Sequence, residues 1–440
     1  MQVEASHHQY SRGYTLYVDQ ASTQQLQAAL AELEAQYAEF KSAGLNLDLT
    51  RGKPSAAQLD LSNSLDGILG GSYSSDSGVD CRNYGGVDGL PEAKALFSQV
   101  LGVKPEETLI GGNASLTLMF QYMAFAHLFG VDGADSAWCK QGEVKFLCPV
   151  PGYDRHFGVC EELGIKMIPV AMDENGPVMD EVERLVKADG AIKGIWCVPR
   201  FSNPTGIVYS DEVVDRIAQL GNVAGAHFRV MWDNAYAIHA LSADAPQLAN
   251  LMDAARKHGT EDSIVQFGST SKVTFAGAGL AFLGSSESNV KSFAKHLGMI
   301  TIGPDKVNQL RHLKFFGDYK GLLDHMAKHA ELLTPRFDAV LDHLNKGFSE
   351  SDLGTWTTPE GGYFVSFDTK PGLAKEVIEL AGDVGVKLTP AGATFPYGDD
   401  PEDKNIRLAP SFPNLNDINK TMEVFVVCVK LASVRQKLSI

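Results

Sequence analysis

Leu26, Leu30, Leu33, Tyr37 and Phe40 follow one another at steps of four, three, four and three. That spacing lines one face of a helix with apolar side chains. Ser22 and Gln25 just ahead form the capping-box pattern, so a helix is predicted from Ser22 onward. Alternation then takes over at Asn46-Leu47-Asp48-Leu49-Thr50, a strand signal, and breaks at Arg51-Gly52-Lys53-Pro54. A glycine-rich turn over 83–90 leads to a helix starting at Pro91, the favoured first helical position. Residues 115–129 are apolar almost all round, which predicts a helix buried on every side.

Between 143 and 267 come five short apolar runs rich in β-branched and aromatic residues: 143–148, 166–170, 194–198, 228–233 and 263–267. Helical stretches near 179–188 and 211–220 separate some of them. Strands alternating with helices predict an α/β fold, with a mostly parallel sheet covered on both faces. Ligands of such sheets bind outside the carboxyl ends of the strands.

A long helical pattern runs from 317 to about 346, and Pro335 should kink or split it. Strands at 362–368, 386–389 and 405–408 and helices at 371–382 and 414–434 then predict a smaller α+β domain. The N-terminal helix is expected to join it. The expected division is an arm, helix and part of the small domain over 1–60, a large three-layer domain over 61–330, and the rest of the small domain over 331–440. Residues 1–20 are polar and should wrap as an arm.

With 440 residues, 44% apolar and 21% charged, the chain can bury a large core. Its net charge of −16 and lack of a basic run argue against nucleic acid or anionic membranes as partners. Six scattered cysteines show no CxxC spacing, so neither a metal motif nor a disulfide framework is expected. Cys148 and Cys197 lie in apolar runs and read as buried thiols. His7-His8 reads as a solvated terminal pair. No signal peptide or transmembrane stretch is read, and a cytoplasmic location is the expectation.

Chemistry concentrates after the strands. Gly268-Ser269-Thr270-Ser271-Lys272 follows the run 263–267. A lysine desolvated at a strand end can lose its proton and attack an aldehyde, and neighbouring hydroxyls suit phosphate. Lysine plus phosphate donors fits pyridoxal phosphate; a solvated lysine in a polar loop is the competing explanation. Gly111-Gly112-Asn113-Ala114-Ser115 opens a helix, whose N-terminus is either an anion site or simply capped. Asp233 ends a strand, where a lone carboxylate is costly. It wants a cation such as a protonated pyridine nitrogen, or else it caps a helix. Asn203, in Asn203-Pro204-Thr205-Gly206, and Tyr236 could share a phenolate oxygen, or be loop and core residues.

The ordered set Asn-Pro-Thr-Gly, Asp-Asn-Ala-Tyr, Ser-Thr-Ser-Lys and a late Arg resembles the class I/II, fold type I, pyridoxal-phosphate aminotransferases over about 46–412. The resemblance implies Lys272 as Schiff-base lysine and proton carrier, and Asp233 as partner of the pyridinium. It places Asn203 and Tyr236 on the cofactor's O3′, Tyr153 against the ring, and His156 behind the aspartate. Asn113, Ala114 and Ser115, with Ser269 and Ser271, would cradle the phosphate. Tyr84 would reach the phosphate of a neighbouring subunit, implying a homodimer with shared sites. Arg407 would fork onto the substrate α-carboxylate, with the Gly52 backbone facing it.

Two departures stand out. Relatives often carry Gly-Leu-Arg after the lysine; here the run is Gly279-Leu280-Ala281, one phosphate cation short. The run Met299-Ile300-Thr301-Ile302 lacks the arginine that some relatives use for a distal carboxylate. Arg51, Lys53, Arg82, Arg155 and Arg200 are the candidates in its place. The wording around Arg51, Tyr153 and Lys272 resembles a divergent bacterial aspartate aminotransferase branch. The expected reaction is transfer of the amino group of L-aspartate to 2-oxoglutarate. An aromatic or broad-specificity aminotransferase, a β-eliminating lyase and an aminotransferase-like regulator are the rivals.

Overall fold

The computed structural model describes residues 16–439. His7, His8 and most of the expected arm lie outside the described residues. The end of that arm is anchored: Val18 is buried, and the Val18 and Asp19 N–H groups donate to Asp352 Oδ1 and Oδ2 at 2.8 and 3.0 Å.

An eight-stranded sheet forms the centre, in the order Thr108–Ile110, Ala281–Ser285, Ile264–Ser269, Arg229–Asp233, Ile192–Cys197, Lys145–Val150, Lys166–Asp173 and Gly176–Pro177. The five runs expected from the sequence form its parallel core. The short strands Thr108–Ile110, Ala281–Ser285 and Gly176–Pro177 were not expected, and each is antiparallel to a neighbour. Ala281–Ser285 matters most, because the chain leaves the sheet at Ser269 and re-enters beside it at Ala281. The lysine-bearing loop is thereby tied at both ends.

Successive side chains of the central strands enter opposite cores. Val230 and Trp232 pack with Val182, Val214 and Met252, whereas Met231 packs with Leu118, Trp138 and Phe293. Each large apolar side chain removed from water contributes roughly 1.5–3 kcal/mol. The sheet is thus held from both faces, as the near-continuous apolar runs require.

Two helices depart from expectation. Ser115–Phe129 buries Leu118, Met119, Tyr122 and Met123, but leaves Phe120, Leu128 and Phe129 exposed, because only one flank meets the sheet. Tyr319–Phe348 is neither split nor ended by Pro335. Packing against Leu415–Leu438 outweighs the roughly 3 kcal/mol that an internal proline costs. Arg336 Nη1 and Thr334 Oγ1 donate to the nearby Leu332 and Ala330 carbonyls at 2.9 Å each.

The C-terminal strands Gly354–Trp356, Val365–Thr369 and Asn405–Leu408 form an antiparallel sheet. Leu47–Asp48 pairs in parallel with Val386–Lys387, which joins the N-terminal segment to this part of the molecule. Thr23–Ser42 carries the capping box between Ser22 and Gln25 and lies on Leu415–Leu438. The strand expected at 362 starts later, at Val365, because Gly361 and Gly362 turn beneath Phe201. A Cβ on either glycine would sit 2.4 or 2.7 Å from that side chain. Among the described residues no helix is long and apolar enough to cross a membrane.

Candidate active site

Because the central strands are parallel, their carboxyl ends share one edge. Asp233 and Ser269 are the last residues of neighbouring strands, and the Tyr153 and Asn203 loops leave the same edge. Asp233 is buried. His156 Nε2 donates to its Oδ2 at 2.9 Å, and His156 stacks on Trp196 with ring centres 4.2 Å apart. Asp233 Oδ1 is also buried and has no partner among the described residues. A buried carboxyl oxygen left unpaired is costly, and a cationic N–H relieves that cost.

Lys272 lies in the turn after the Ile264–Ser269 strand. Its Nζ sits over the Tyr236 ring, 5.1 Å from the ring centre. Burial lowers its pKa, opposed in part by the charge of Asp233. A fraction of free amine therefore becomes accessible nearer neutral pH than for a solvated lysine. Burial raises the Tyr236 and Tyr153 hydroxyls, which keeps both protonated.

At the other end of the site, the Ser115–Phe129 helix begins at Ala114, which supplies no side-chain cap. Its first N–H groups and positive dipole end are open to an anion. The lysine loop wraps this terminus. Ser271 Oγ donates to the Asn113 carbonyl at 3.2 Å, and Asn113 Nδ2 donates to the Gly277 carbonyl at 3.1 Å. Ser269 Oγ accepts from the Ser271 N–H at 3.4 Å. Ala281 is a buried ladder residue: it donates to the Gly112 carbonyl and accepts from the Gly111 N–H, each at 2.8 Å.

Arg407 reaches in from the C-terminal sheet, opposite Ser366 in register. Its Nη1 donates to Asn203 Oδ1 and to Asp154 Oδ1, both at 3.2 Å. Its guanidinium lies 4.9 Å from the Phe364 ring centre, and its Nε is buried without a partner among the described residues. Gly52 packs on the same ring: a Cβ there would lie 2.3 Å from Phe364 Cζ. Asn203 Nδ2 has no partner among the described residues and is free to donate.

Other sequence candidates make no side-chain hydrogen bond to this cluster among the described residues. Tyr84 is 82% exposed, on a turn packed against Gly303 and near exposed Met299, Ile300 and Ile302. Arg51 and Arg155 are exposed and form no ion pair among the described residues. Arg82 is held by Asp80 at 2.7 Å, Arg200 by the Ala237 and Pro246 carbonyls, and Lys53 lies over Phe412. Sequence reading missed Asp154, Trp196, Phe364, His239 and Tyr363. Of these, only Asp154 carried a signal: it stands beside Tyr153 at the start of a helix.

The site therefore offers an anion cradle, a buried amine, an acceptor for a cationic ring N–H, and a guanidinium with free donors. Together with the mostly parallel sheet, these define the α/β architecture of a fold type I aminotransferase. The family model described as Aspartate amino-transferase matches residues 21–439, and the chain belongs to that family. It is 43% identical over 403 residues to an aspartate aminotransferase of Corynebacterium glutamicum, covering 91% of this chain and 93% of that one. A crystal structure of an aspartate transaminase from the same organism superposes with a TM-score of 0.93 at 41% identity, covering 96% of this chain and all of that one. The α-aminoadipate aminotransferase of Thermus thermophilus, complexed with N-(5′-phosphopyridoxyl)-L-leucine, shares the fold at 19% identity with a TM-score of 0.71. That match covers 94% of this chain and 97% of the Thermus chain.

Proposed function

We propose that this aminotransferase uses pyridoxal 5′-phosphate to move the amino group of L-aspartate to 2-oxoglutarate. The observation that carries the cofactor is the unpartnered, buried Oδ1 of Asp233 beside the depressed amine of Lys272. The similarity to aspartate aminotransferases over nearly the whole chain supports the donor. When bound, the cofactor supplies an aldehyde that condenses with amines and a protonated ring that takes up electrons.

The chain's own residues then have separable tasks. Ser115, Ala114 and Asn113, with Ser269 and Ser271, bind the phosphate through N–H and hydroxyl groups. No cation stands at Ala281, so these neutral donors carry that end. Asp233, held by His156, accepts from the ring nitrogen. Asn203 Nδ2 and the Tyr236 hydroxyl donate to the ring oxygen, and Tyr153 covers the ring. Lys272 Nζ holds the cofactor in the resting state. Once released, its amine would be the base that takes up the substrate Cα proton. Arg407 orients the α-carboxylate alongside the Gly52 backbone, and Arg51, exposed and without an ion pair among the described residues, is our candidate for the distal carboxylate. The reading includes a homodimer in which Tyr84 completes the partner's phosphate site. It also includes the divisions near residues 60 and 330.

A panel of amino donors against 2-oxoglutarate tests the reaction. Aspartate is expected to exceed phenylalanine and tyrosine; the reverse order would overturn the substrate assignment. Lys272→Ala should lower turnover by about 10⁴-fold and remove the visible absorbance of the loaded enzyme. Unchanged transamination in that variant would overturn the role of the lysine.

A further inference from the structure

Two consecutive backbone carbonyls, those of Lys272 and Val273, receive no backbone N–H among the described residues. Side chains from distant parts of the chain serve them instead. His239 Nε2 and the Tyr363 hydroxyl each lie 3.3 Å from the Lys272 oxygen. His325 Nε2 and His329 Nε2 lie 2.7 and 2.9 Å from the Val273 oxygen. A carbonyl oxygen only accepts, so all three histidines must carry their proton on Nε2. His329 Nδ1 is then an acceptor, and Gln58 Nε2 stands 3.2 Å from it and 3.0 Å from the Tyr363 hydroxyl. The two amide hydrogens of Gln58 thus meet two acceptors, while its Oε1 accepts from Ser55. His325 Nε2 and His329 Nε2 also lie 3.1 Å apart, so two donors converge on the one Val273 oxygen, and His239 Nδ1 is buried without a partner among the described residues.

We propose that His239, Tyr363, His325 and His329 are positioning residues for Lys272, with Tyr363 and His329 held by Gln58. Four donors on two adjacent carbonyls fix the peptide planes from which the lysine side chain springs, and so fix where its amine points. Burial pulls His239 down to about 3 and His329 to about 4, which keeps both neutral near neutral pH, and the carbonyls they face set the tautomer. Gln58, Tyr363 and the helix bearing the two histidines come from segments far apart in sequence, which is why no local motif announces the arrangement. The proposal rests on the aminotransferase role of Lys272, but part of its test does not.

The variants are Tyr363→Phe, which removes one donor and keeps the ring, His329→Leu, which removes another, and His329→Gln, which keeps an N–H donor. In cofactor-free protein, Lys272 is pulse-labelled with an amine-reactive reagent across pH and its peptide quantified by mass spectrometry. In loaded enzyme, kcat and KM for aspartate are measured separately. The expected result is an altered labelling rate and midpoint at Lys272, with kcat lowered about 10- to 100-fold and KM little changed, in the Phe and Leu variants. His329→Gln should restore both. Folded Tyr363→Phe protein with wild-type labelling and wild-type kcat would overturn the proposal, even if its Tm fell. Should the wild-type enzyme lack the expected transamination, the labelling arm still decides the positioning claim by itself.

Discussion

Arg407 Nη1 and Asp154 Oδ1 stand 3.2 Å apart across the mouth of the site. The guanidinium assigned to the substrate carboxylate already holds a carboxylate from its own chain. Asp154 is partly exposed, whereas Arg407 is nearly buried. The pair is therefore partly screened and exchangeable, and the incoming carboxylate competes with Asp154 for one edge of the fork.

Removing the competitor should help binding. Asp154→Asn is expected to lower KM for aspartate by about 2- to 5-fold. Arg407→Ala should raise it by about 10²-fold, since it deletes the partner of a desolvated carboxylate. Steady-state kinetics on both variants checks the pair; an Asp154→Asn enzyme with raised KM would show that the aspartate helps to bind substrate.

Asp233→Asn preserves shape and removes the charge facing the ring nitrogen. It should lower kcat by about 10²-fold or more, because stabilisation of charge in a dry site is lost. Cofactor affinity, measured by absorbance titration, should fall with it. Near-normal kcat would mean that Oδ1 serves only the fold.

Gly52→Ala tests the stack of Gly52, Phe364 and Arg407. The new methyl would press on the Phe364 ring and push it toward the guanidinium. Overpacking of this kind costs about 1–3 kcal/mol. If the displacement falls on Arg407, KM for the amino acid rises about tenfold or more while kcat changes less. Equal losses in Tm and kcat, with KM unaltered, would count against the link to Arg407.

Acidification should expose the buried histidines. His329 is lowered from 6.5 to about 4 by burial first and by His325 second. Between those values the unfolded chain binds a proton that the folded chain refuses, so stability falls as pH drops from about 6.5 toward 4. At about 1.4 kcal/mol for each pH unit separating the two values, His329 contributes roughly 3 kcal/mol to that loss. His329→Gln cannot titrate, so its urea midpoint should decline less than that of the wild type between pH 7 and pH 4.5. Parallel declines would show that His329 protonates freely in the folded state.

The reach of the sequence differs between these residues for physical reasons. Lys272 and Asp233 sit at or just beyond strand ends, where a switch from apolar to polar residues marks the place; Asn203 is marked by its Asn-Pro turn, whereas Arg407, inside the strand Asn405–Leu408, is legible only through the family resemblance. Asp154 lies one residue beyond Tyr153, yet its partner is far away in the chain, and no periodicity encodes that contact. His325 and His329 are four apart on a helix and look like polar-face residues until Gln58 and Val273 close over them. Ala281–Ser285 gives little strand signal, because Gly284 and Ser285 cut its apolar run to three residues. Pro335 was overread, since local propensity ignores what packs on the helix from outside.

The helix Tyr319–Phe348 begins among one set of buried side chains and ends among another. Leu322 and Met326 pack with Leu310 and Phe316, whereas Leu333, Phe337 and Leu344 pack with Phe367 and Phe425. A continuous rod of 30 residues, about 45 Å long, thus belongs to both halves of the molecule. Neither half can melt without severing that rod in mid-span, so heat should undo the protein in a single calorimetric transition rather than in two.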